Sequence, residues 1–277
     1  MDEHYAEYLR DQAMPTVWCP GCGNGLIVRA LIDAVRALDF DKDEVAVIGG
    51  IGCSGRTPYF LDFNTMHTTH GRAPAFATGL KMARPELNVI LAMGDGDAAG
   101  IGGNHLIHAC RRNVDLTGIV FNNEIYGLTG GQVAPTTTEG KRTTTTPAGN
   151  DEPAFDICEL AESAGASFVA RTTTFDFQEM SDFMTRALAH EGFSVLEVMT
   201  TCPTYLGRLN EWDEPYETMS YVRESTIPVE IGGDGGPILE DEQEGEQKRP
   251  TGVFVEEDRP EYTDLYQRRS EAMQNHE

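Results

Sequence analysis

Residues 87–96 read LNVILAMGDG and residues 118–123 read GIVFNN, and these two segments decide the fold. Each begins as an apolar run typical of a buried strand and ends in small or polar residues, where the backbone can turn towards a ligand. Between them, Ile101 to Arg112 carries apolar residues at helical spacing. A strand, a crossover helix and a second strand predict parallel pairing, so the predicted fold class is α/β, a doubly wound and mostly parallel sheet.

The ends of these two strands carry a spaced motif, Gly-Asp-Gly at 94–96, then 25 residues, then Asn-Asn at 122–123. Open α/β sheets bind ligands at the carboxyl ends of their strands, so both halves are expected in one crevice. Mg²⁺ prefers hard oxygen ligands, which Asp95, the Asn123 amide and the Ile125 carbonyl can supply. The spacing is typical of thiamine diphosphate bound with Mg²⁺. The alternative is that both halves are ordinary turns after strands.

The chain contains six cysteines, Cys19, Cys22, Cys53, Cys110, Cys158 and Cys202. The first two form a Cys-Pro-Gly-Cys knuckle, and Cys53 and Cys202 each follow a predicted strand, whereas Cys110 and Cys158 fall in helical patterns typical of buried apolar residues. Four thiolates suit a [4Fe-4S] cluster or a structural zinc ion. The wide separation of Cys53 from Cys202 argues against a compact zinc ribbon. Disulfides fit poorly with a chain that shows no secretory signal.

Four segments together carry a family resemblance: WCPGCG at 18–23, GIGCSG at 50–55, GDGD at 94–97 and FNNEIYGLTGGQ at 121–132. From about Thr16 to Leu206 the chain resembles the β subunits of the 2-oxoacid:ferredoxin oxidoreductases. The resemblance implies CoA-dependent oxidative decarboxylation of a 2-oxoacid, with electrons passing through a [4Fe-4S] cluster to ferredoxin. It also implies that Cys19, Cys22, Cys53 and Cys202 hold the cluster. The rival class is a non-catalytic zinc or electron-transfer module.

Thiamine enzymes pair a diphosphate-binding domain with a pyrimidine-binding domain, and the chain has only one α/β unit of about 200 residues, the size of a single domain. We therefore expect the pyrimidine-binding domain and its activating glutamate on a separate α subunit, with the active site at the interface.

Substrate and cofactor contacts follow from the resemblance. Arg56 is a candidate for the substrate carboxylate or else a surface or interface residue, and His70 is a candidate for a catalytic or cofactor contact. Many pyruvate-using relatives carry lysine where this chain has Gly130, which favours 2-oxoglutarate over pyruvate, branched-chain 2-oxoacids and indolepyruvate. The expected cofactor-binding residues are Ser54, His70, Gly94, Asp95, Gly96, Asp97, Asn123, Ile125, Gly127 and Leu128.

The chain is strongly acidic, with 45 Asp and Glu against 21 Lys and Arg and a formal net charge of −24. This balance makes nucleic acid an unfavourable partner. Net charge of this size is used by halophile proteins, so we expect a halophile protein of the cytoplasm, the alternative being an acidic mesophile protein. No apolar run approaches the roughly 20 residues of a membrane-spanning helix, so no membrane is expected as a partner.

We expect three regions along the chain: an N-terminal segment (1–15), the cofactor-binding α/β domain (16–206) and a C-terminal extension (207–277) with an acidic flexible linker at about 228–250. Further helices are predicted at Gly25 to Leu38, Gly71 to Ala83, Phe155 to Ala164 and Phe177 to His190.

Overall fold

The structure is a computed structural model and describes residues 3–212, 214–231, 237–238 and 248–274. Its strands are β1 (Val45–Gly49), β2 (Asn64–His67), β3 (Asn88–Gly94), β4 (Leu116–Asn122), β5 (Ile125–Tyr126), β6 (Gln132–Val133), β7 (Phe168–Thr173), β8 (Phe193–Met199), β9 (Thr226–Pro228), β10 (Glu230–Ile231), β11 (Pro237–Ile238) and β12 (Arg249–Glu256). Its α-helices are α1 (Glu3–Ala6), α2 (Asn24–Ala37), α3 (Thr57–Phe60), α4 (Ala73–Ala83), α5 (Gly103–Arg112), α6 (Ile157–Ala164), α7 (Phe177–Ala189), α8 (Pro215–Glu224) and α9 (Tyr262–Gln274). None of the helices in the described ranges is both long enough and apolar enough to cross a bilayer.

The main sheet has eight strands in the order β2-β1-β3-β4-β8-β7-β12-β9. Neighbouring strands run parallel, except that β12 is antiparallel to β7. From β1 the chain moves outward to β2 and then returns to build the other side from β3 onward. The carboxyl ends of β1 and β3 therefore flank the switch point, where doubly wound sheets open a binding crevice.

Apolar cores cover both faces of the sheet. Helices α2 and α7 pack on one face, and α4, α5 and α6 pack on the other. In α2, Ile27, Leu31 and Val35 recur every four residues and are fully buried, which places them on one helical stripe. Burial of each such side chain stabilises the fold by about 1.5–3 kcal/mol. The predicted α/β class with a doubly wound, mostly parallel sheet is confirmed.

Four helix starts differ from the sequence prediction by one or two residues. Helices α2 and α6 begin at Asn24 and Ile157 rather than at Gly25 and Phe155, and the starts of α4 and α5 differ beside the crevice. Helix α4 begins at Ala73 rather than at Gly71, because Gly71 has a left-handed φ of 72° that a helix does not accommodate. Helix α5 begins at Gly103, because a π-helical segment, Gly96–Ile101, follows β3 directly. Such π-helical turns occur often at functional sites.

The sheet does not end at the boundary predicted at residue 206. Strands β9 and β12, both from the predicted C-terminal extension, form its far edge. Strand β12 pairs with β7 from Gly252 opposite Arg171 to Glu256 opposite Phe168, with a register shift between Val253 and Val255. The division of the chain into domains stays a prediction. Most of the predicted linker lies outside the described residues.

Candidate functional site

A cavity opens at the switch point of the sheet. It is bounded by the segments that follow β1, β3 and β4. All ten residues expected to bind the cofactor line it: Ser54, His70, Gly94, Asp95, Gly96, Asp97, Asn123, Ile125, Gly127 and Leu128. Cys53 shares the same wall. Residues that lie up to 74 positions apart in the sequence thus meet in one crevice because parallel strands end at the same edge.

Asp95 lies at the floor of the crevice and is only 3% exposed. Burial raises the pKa of its carboxyl to about 7, although a hydrogen bond from Thr136 opposes the shift. The Thr136 hydroxyl donates to Asp95 Oδ2. Among the described residues, no Lys or Arg forms an ion pair with Asp95. A bound cation would supply the missing countercharge, so the buried carboxylate fits a metal ligand.

The second half of the motif forms a tight loop after β4. Glu124 has a left-handed φ of 59°, which is uncommon for a residue other than glycine. The loop is held by hydrogen bonds from Glu124 N to Asn122 Oδ1 (3.0 Å), from Ile125 N to Asn123 Oδ1 (3.3 Å) and from the Thr137 hydroxyl to the Glu124 carbonyl (2.6 Å). This turn brings Asn123 and Ile125 to the cavity wall opposite Asp95. The three residues offer a carboxylate, an amide oxygen and a backbone carbonyl, which is the donor set that Mg²⁺ prefers.

Asp97 ties three segments of the cavity wall together. Its Oδ1 accepts hydrogen bonds from Gly71 N (2.7 Å) and Ile51 N (3.2 Å) and lies 2.5 Å from His70 Nδ1. Its Oδ2 is buried and has no hydrogen-bond partner among the residues that the structure describes. The contact with Asp97 fixes the orientation of the His70 ring, whose side chain is 35% exposed at the cavity. Asp97 therefore acts on the site by holding other groups in place.

The four cysteines of the predicted cluster converge beside the cavity. A β-carbon at Gly127 would lie 3.5 Å from Cys202 Sγ and 3.9 Å from Cys53 Sγ. Burial, with smaller contributions from Cys202, Cys53 and Cys19, raises the pKa of the Cys22 thiol to about 12. Burial also raises the pKa of Cys53 to about 11, with added contributions from Cys202 and Cys19. These mutual electrostatic effects are consistent with four sulfur atoms that lie near one another.

The spacing of these sulfurs bears on the kind of metal centre. All six cysteines are free of disulfides. Three side chains that could hold a metal ion bring their ligand atoms within 4.8 Å of one another at only one place within the described residues. That group is Asp156, Cys158 and Glu197. No three of the four converging sulfurs are therefore that close. A tetrahedral zinc site with Zn–S bonds of about 2.3 Å needs sulfurs about 3.8 Å apart, so the arrangement favours a larger centre.

Two residues tied to substrate choice lie outside the cavity wall. Arg56 is exposed and is not among the residues that line the cavity. Burial raises the pKa of the Cys53 thiol, and the positive charge of Arg56 partly opposes that shift, so Arg56 lies near that sulfur. Gly130 has a φ of 124°, a conformation in which a lysine would be strained. The glycine at position 130 thus matches the local backbone.

Several residues of the site are absent from the sequence prediction. Asn24, the first residue of α2, lines the cavity, and its buried amide has no hydrogen-bond partner within the described part of the chain. Tyr126 also lines it and donates from its hydroxyl to the Gly96 carbonyl at 3.1 Å. Both lie within or beside the quoted motifs, since Asn24 directly follows the WCPGCG segment and Tyr126 is part of the loop after β4. Their positions within or beside those motifs are the sequence feature that could have identified them as site residues.

Comparisons with known proteins match these features. Residues 50–198 match the family described as thiamine pyrophosphate enzyme, C-terminal TPP binding domain. A 2-oxoglutarate synthase subunit KorB from Archaeoglobus fulgidus is 57% identical over 205 residues, covering 74% of this chain and 76% of that protein. The subunit of the same name from Methanothermobacter marburgensis is 45% identical over 260 residues, covering 94% and 90%.

A subunit beta of a 2-oxoacid:ferredoxin oxidoreductase from Aeropyrum pernix is 37% identical over 236 residues, covering 85% of this chain and 72% of that protein. Among solved structures, the 2-oxoglutarate:ferredoxin oxidoreductase from Magnetococcus marinus, with 2-oxoglutarate, coenzyme A and succinyl-CoA bound, superposes with a TM-score of 0.82 at 34% identity. That alignment covers 96% of this chain and 89% of the other.

Proposed function

Because this chain belongs to the thiamine diphosphate-binding β subunits of the 2-oxoacid:ferredoxin oxidoreductases, we propose that it catalyses, with an α subunit, the CoA-dependent oxidative decarboxylation of 2-oxoglutarate. The overall reaction converts 2-oxoglutarate and CoA into succinyl-CoA and carbon dioxide and passes two electrons to ferredoxin. Bound thiamine diphosphate supplies an electron sink for the loss of carbon dioxide. The relatives named as 2-oxoglutarate synthase subunits and the solved structure with succinyl-CoA support this choice of substrate.

The observation that carries the proposal is that Asp95, Asn123 and Ile125 line the same cavity as Cys53. Asp95, Asn123 and the Ile125 carbonyl would hold Mg²⁺, and the Mg²⁺ would hold the diphosphate. Gly96 lets the Tyr126 ring pack against this turn, because a β-carbon at Gly96 would lie 2.1 Å from that ring. His70, oriented by Asp97, faces the same space as a substrate or cofactor contact.

The four converging cysteines, Cys19, Cys22, Cys53 and Cys202, would hold the [4Fe-4S] cluster. Their sulfurs are neighbours but are not packed as tightly as a single zinc ion requires, which supports the cluster over zinc. Cys53 lies in the cavity wall itself. A cluster held by Cys53 would therefore border the cofactor cavity and could take up electrons released there, and ferredoxin would accept them from the cluster.

The site within this chain is only half of an active site in the proposal. The cavity has a volume of about 90 Å³, whereas sites for whole small-molecule ligands usually measure about 300–1,000 Å³. The apolar side chains of Ile51 and Leu128 stand exposed beside it. An α subunit would cover these residues, enclose the pyrimidine ring and supply its activating glutamate. The exposed Arg56 would lie at this interface or reach the substrate carboxylate across it.

The proposal is tested on the complex of this chain with its α subunit, purified anaerobically. Thiamine diphosphate binding is measured by calorimetry with and without Mg²⁺, and CoA-dependent reduction of ferredoxin is measured with 2-oxoglutarate, pyruvate and branched-chain 2-oxoacids. We expect Mg²⁺-dependent binding and the highest kcat/KM with 2-oxoglutarate. The cofactor site would be refuted if thiamine diphosphate bound equally well without Mg²⁺ or to Asp95→Asn. A higher kcat/KM with pyruvate than with 2-oxoglutarate would refute the proposed substrate. Robust activity of this chain alone would refute the shared active site.

A further inference from the structure

Arg249, the first residue of β12, reaches from the far edge of the sheet into the loop that carries the metal-binding motif. Its Nη1 donates to Glu124 Oε1, and its Nη2 donates to the Thr136 carbonyl and to the Thr138 hydroxyl, both at 3.0 Å. The Glu124 side chain is 2% exposed and that of Arg249 is 17% exposed. A single buried guanidinium thus joins the loop after β4 to the threonine segment that follows it.

Both of these segments position proposed metal ligands. Glu124 stands between Asn123 and Ile125, and its left-handed backbone sets the direction of the loop. Thr136, whose carbonyl accepts from Arg249, uses its hydroxyl to hold Asp95. Arg249 therefore bonds directly to Glu124, the residue next to Asn123, and two successive hydrogen bonds through Thr136 link it to Asp95.

A second contact supports the same carboxylate. The Tyr221 hydroxyl on α8 donates to Glu124 Oε2 at 2.9 Å. Arg249 itself is fixed at its base, because its backbone N–H donates to the Ser225 carbonyl at 2.9 Å and the following carbonyl, that of Pro250, accepts from Arg171 at 3.0 Å. A planar guanidinium with several fixed donors can hold a carboxylate and a carbonyl at once, which an ammonium group cannot do as well.

We infer that Arg249 is a positioning residue for the metal–diphosphate site: it holds the loops that carry Asp95 and Asn123 in the geometry that binds Mg²⁺. The inference rests on the proposed function. Groups that bond directly to a metal ligand, as the Thr136 hydroxyl does to Asp95, typically contribute 10- to 100-fold to metal affinity, and Arg249 acts through that group. The C-terminal region is then part of the cofactor site rather than an appendage to it.

The test is a calorimetric Mg²⁺ titration of the metal-free complex with its α subunit at saturating thiamine diphosphate. Arg249→Met should weaken Mg²⁺ binding by roughly 10- to 100-fold, and Tyr221→Phe, which removes one hydroxyl, should weaken it less. The matched control is Arg186→Met on α7. It breaks an exposed ion pair with Glu256, which lies on β12 like Arg249, and it should leave Mg²⁺ binding unchanged.

Thermal unfolding of the metal-free complexes separates positioning from general stability. A purely structural role would lower the unfolding temperature of Arg249→Met and leave Mg²⁺ affinity within twofold of the wild type, and that result would overturn the inference. If Arg249→Met does not assemble, Tyr221→Phe and Arg249→Lys decide the question: weaker Mg²⁺ binding in both supports the inference, and wild-type binding in both refutes it. If the wild-type complex itself shows no Mg²⁺-dependent binding, the proposed function falls and this inference falls with it.

Discussion

Substitution of Gly50 by alanine tests whether Asp97 holds the cavity wall together. A β-carbon at position 50 would lie 1.7 Å from Asp97 Oδ2 and 2.5 Å from its Cγ, whereas ordinary contact begins at 3.4 Å. The Asp97 carboxylate is buried and cannot turn into solvent. It must therefore move away from Gly50 and lengthen its hydrogen bonds to Gly71 N and Ile51 N.

The expected cost follows from those two bonds. Hydrogen bonds to a charged group contribute about 1.5–3 kcal/mol each, and a buried donor left without a partner adds to the loss. We do not count the contact with His70, because that ring is partly exposed and can bond to water instead. Loss of both backbone bonds gives about 3 kcal/mol or more, which corresponds to roughly 100-fold easier local opening.

The assay is hydrogen–deuterium exchange of the complex, read by mass spectrometry at the peptide that contains Gly71. Gly50→Ala should speed exchange of that peptide roughly 100-fold. The control is Gly79→Ala, in which the new β-carbon meets nothing within 4 Å on an exposed helical position and should stabilise α4 by about 0.5–1 kcal/mol. Unchanged protection at Gly71 in Gly50→Ala would show that the Asp97 bonds do not hold this wall.

Three further outcomes are expected. Cys202→Ala should abolish the visible absorbance of the anaerobically purified complex, whereas Cys110→Ala, which changes a buried cysteine away from the site, should retain it; a colourless, zinc-containing wild type would contradict the cluster. Arg171→Met should lower the free energy of unfolding by about 3–5 kcal/mol and the thermal midpoint by roughly 10 °C, because it removes the 2.6 Å ion-pair partner of the buried Glu197. The control Arg268→Met, at an exposed ion pair, should change the free energy of unfolding by at most about 1 kcal/mol. With a net charge of −24, the protein should lose stability on transfer from molar KCl to dilute buffer, and an unchanged melting temperature would count against a halophile origin.

Local patterns predicted the sheet and the floor of the site. The apolar runs that end at Gly94 and Asn122 indicated two parallel strands, and parallel strands necessarily bring their carboxyl ends together. The position of Asp95 beside Asn123 and Ile125 follows from that rule without any tertiary information. The fold class follows from the same rule, and the family was predictable because each of the four motif segments is short and continuous in the sequence.

Contacts between distant segments could not be predicted in this way. Arg249 lies 125 residues from Glu124 in a stretch with no motif of its own, and its role depends on an antiparallel strand that the composition did not indicate. The bond between Asp97 and Gly71 is equally invisible in sequence, because it depends on a left-handed glycine. Single buried polar contacts have no periodicity, so only the packed structure identifies them.

The late position of Arg249 also sets the order of events when the chain is synthesised. Glu124 leaves the ribosome well before its buried counterion, since at about 5–20 residues per second the 125 residues between them take roughly 6 to 25 s to make. During that interval the loop after β4 lacks the guanidinium that holds it. Nascent chains that stop before β12 therefore carry every proposed ligand of the site but lack this guanidinium, and they should bind Mg²⁺ and diphosphate more weakly than chains that include it.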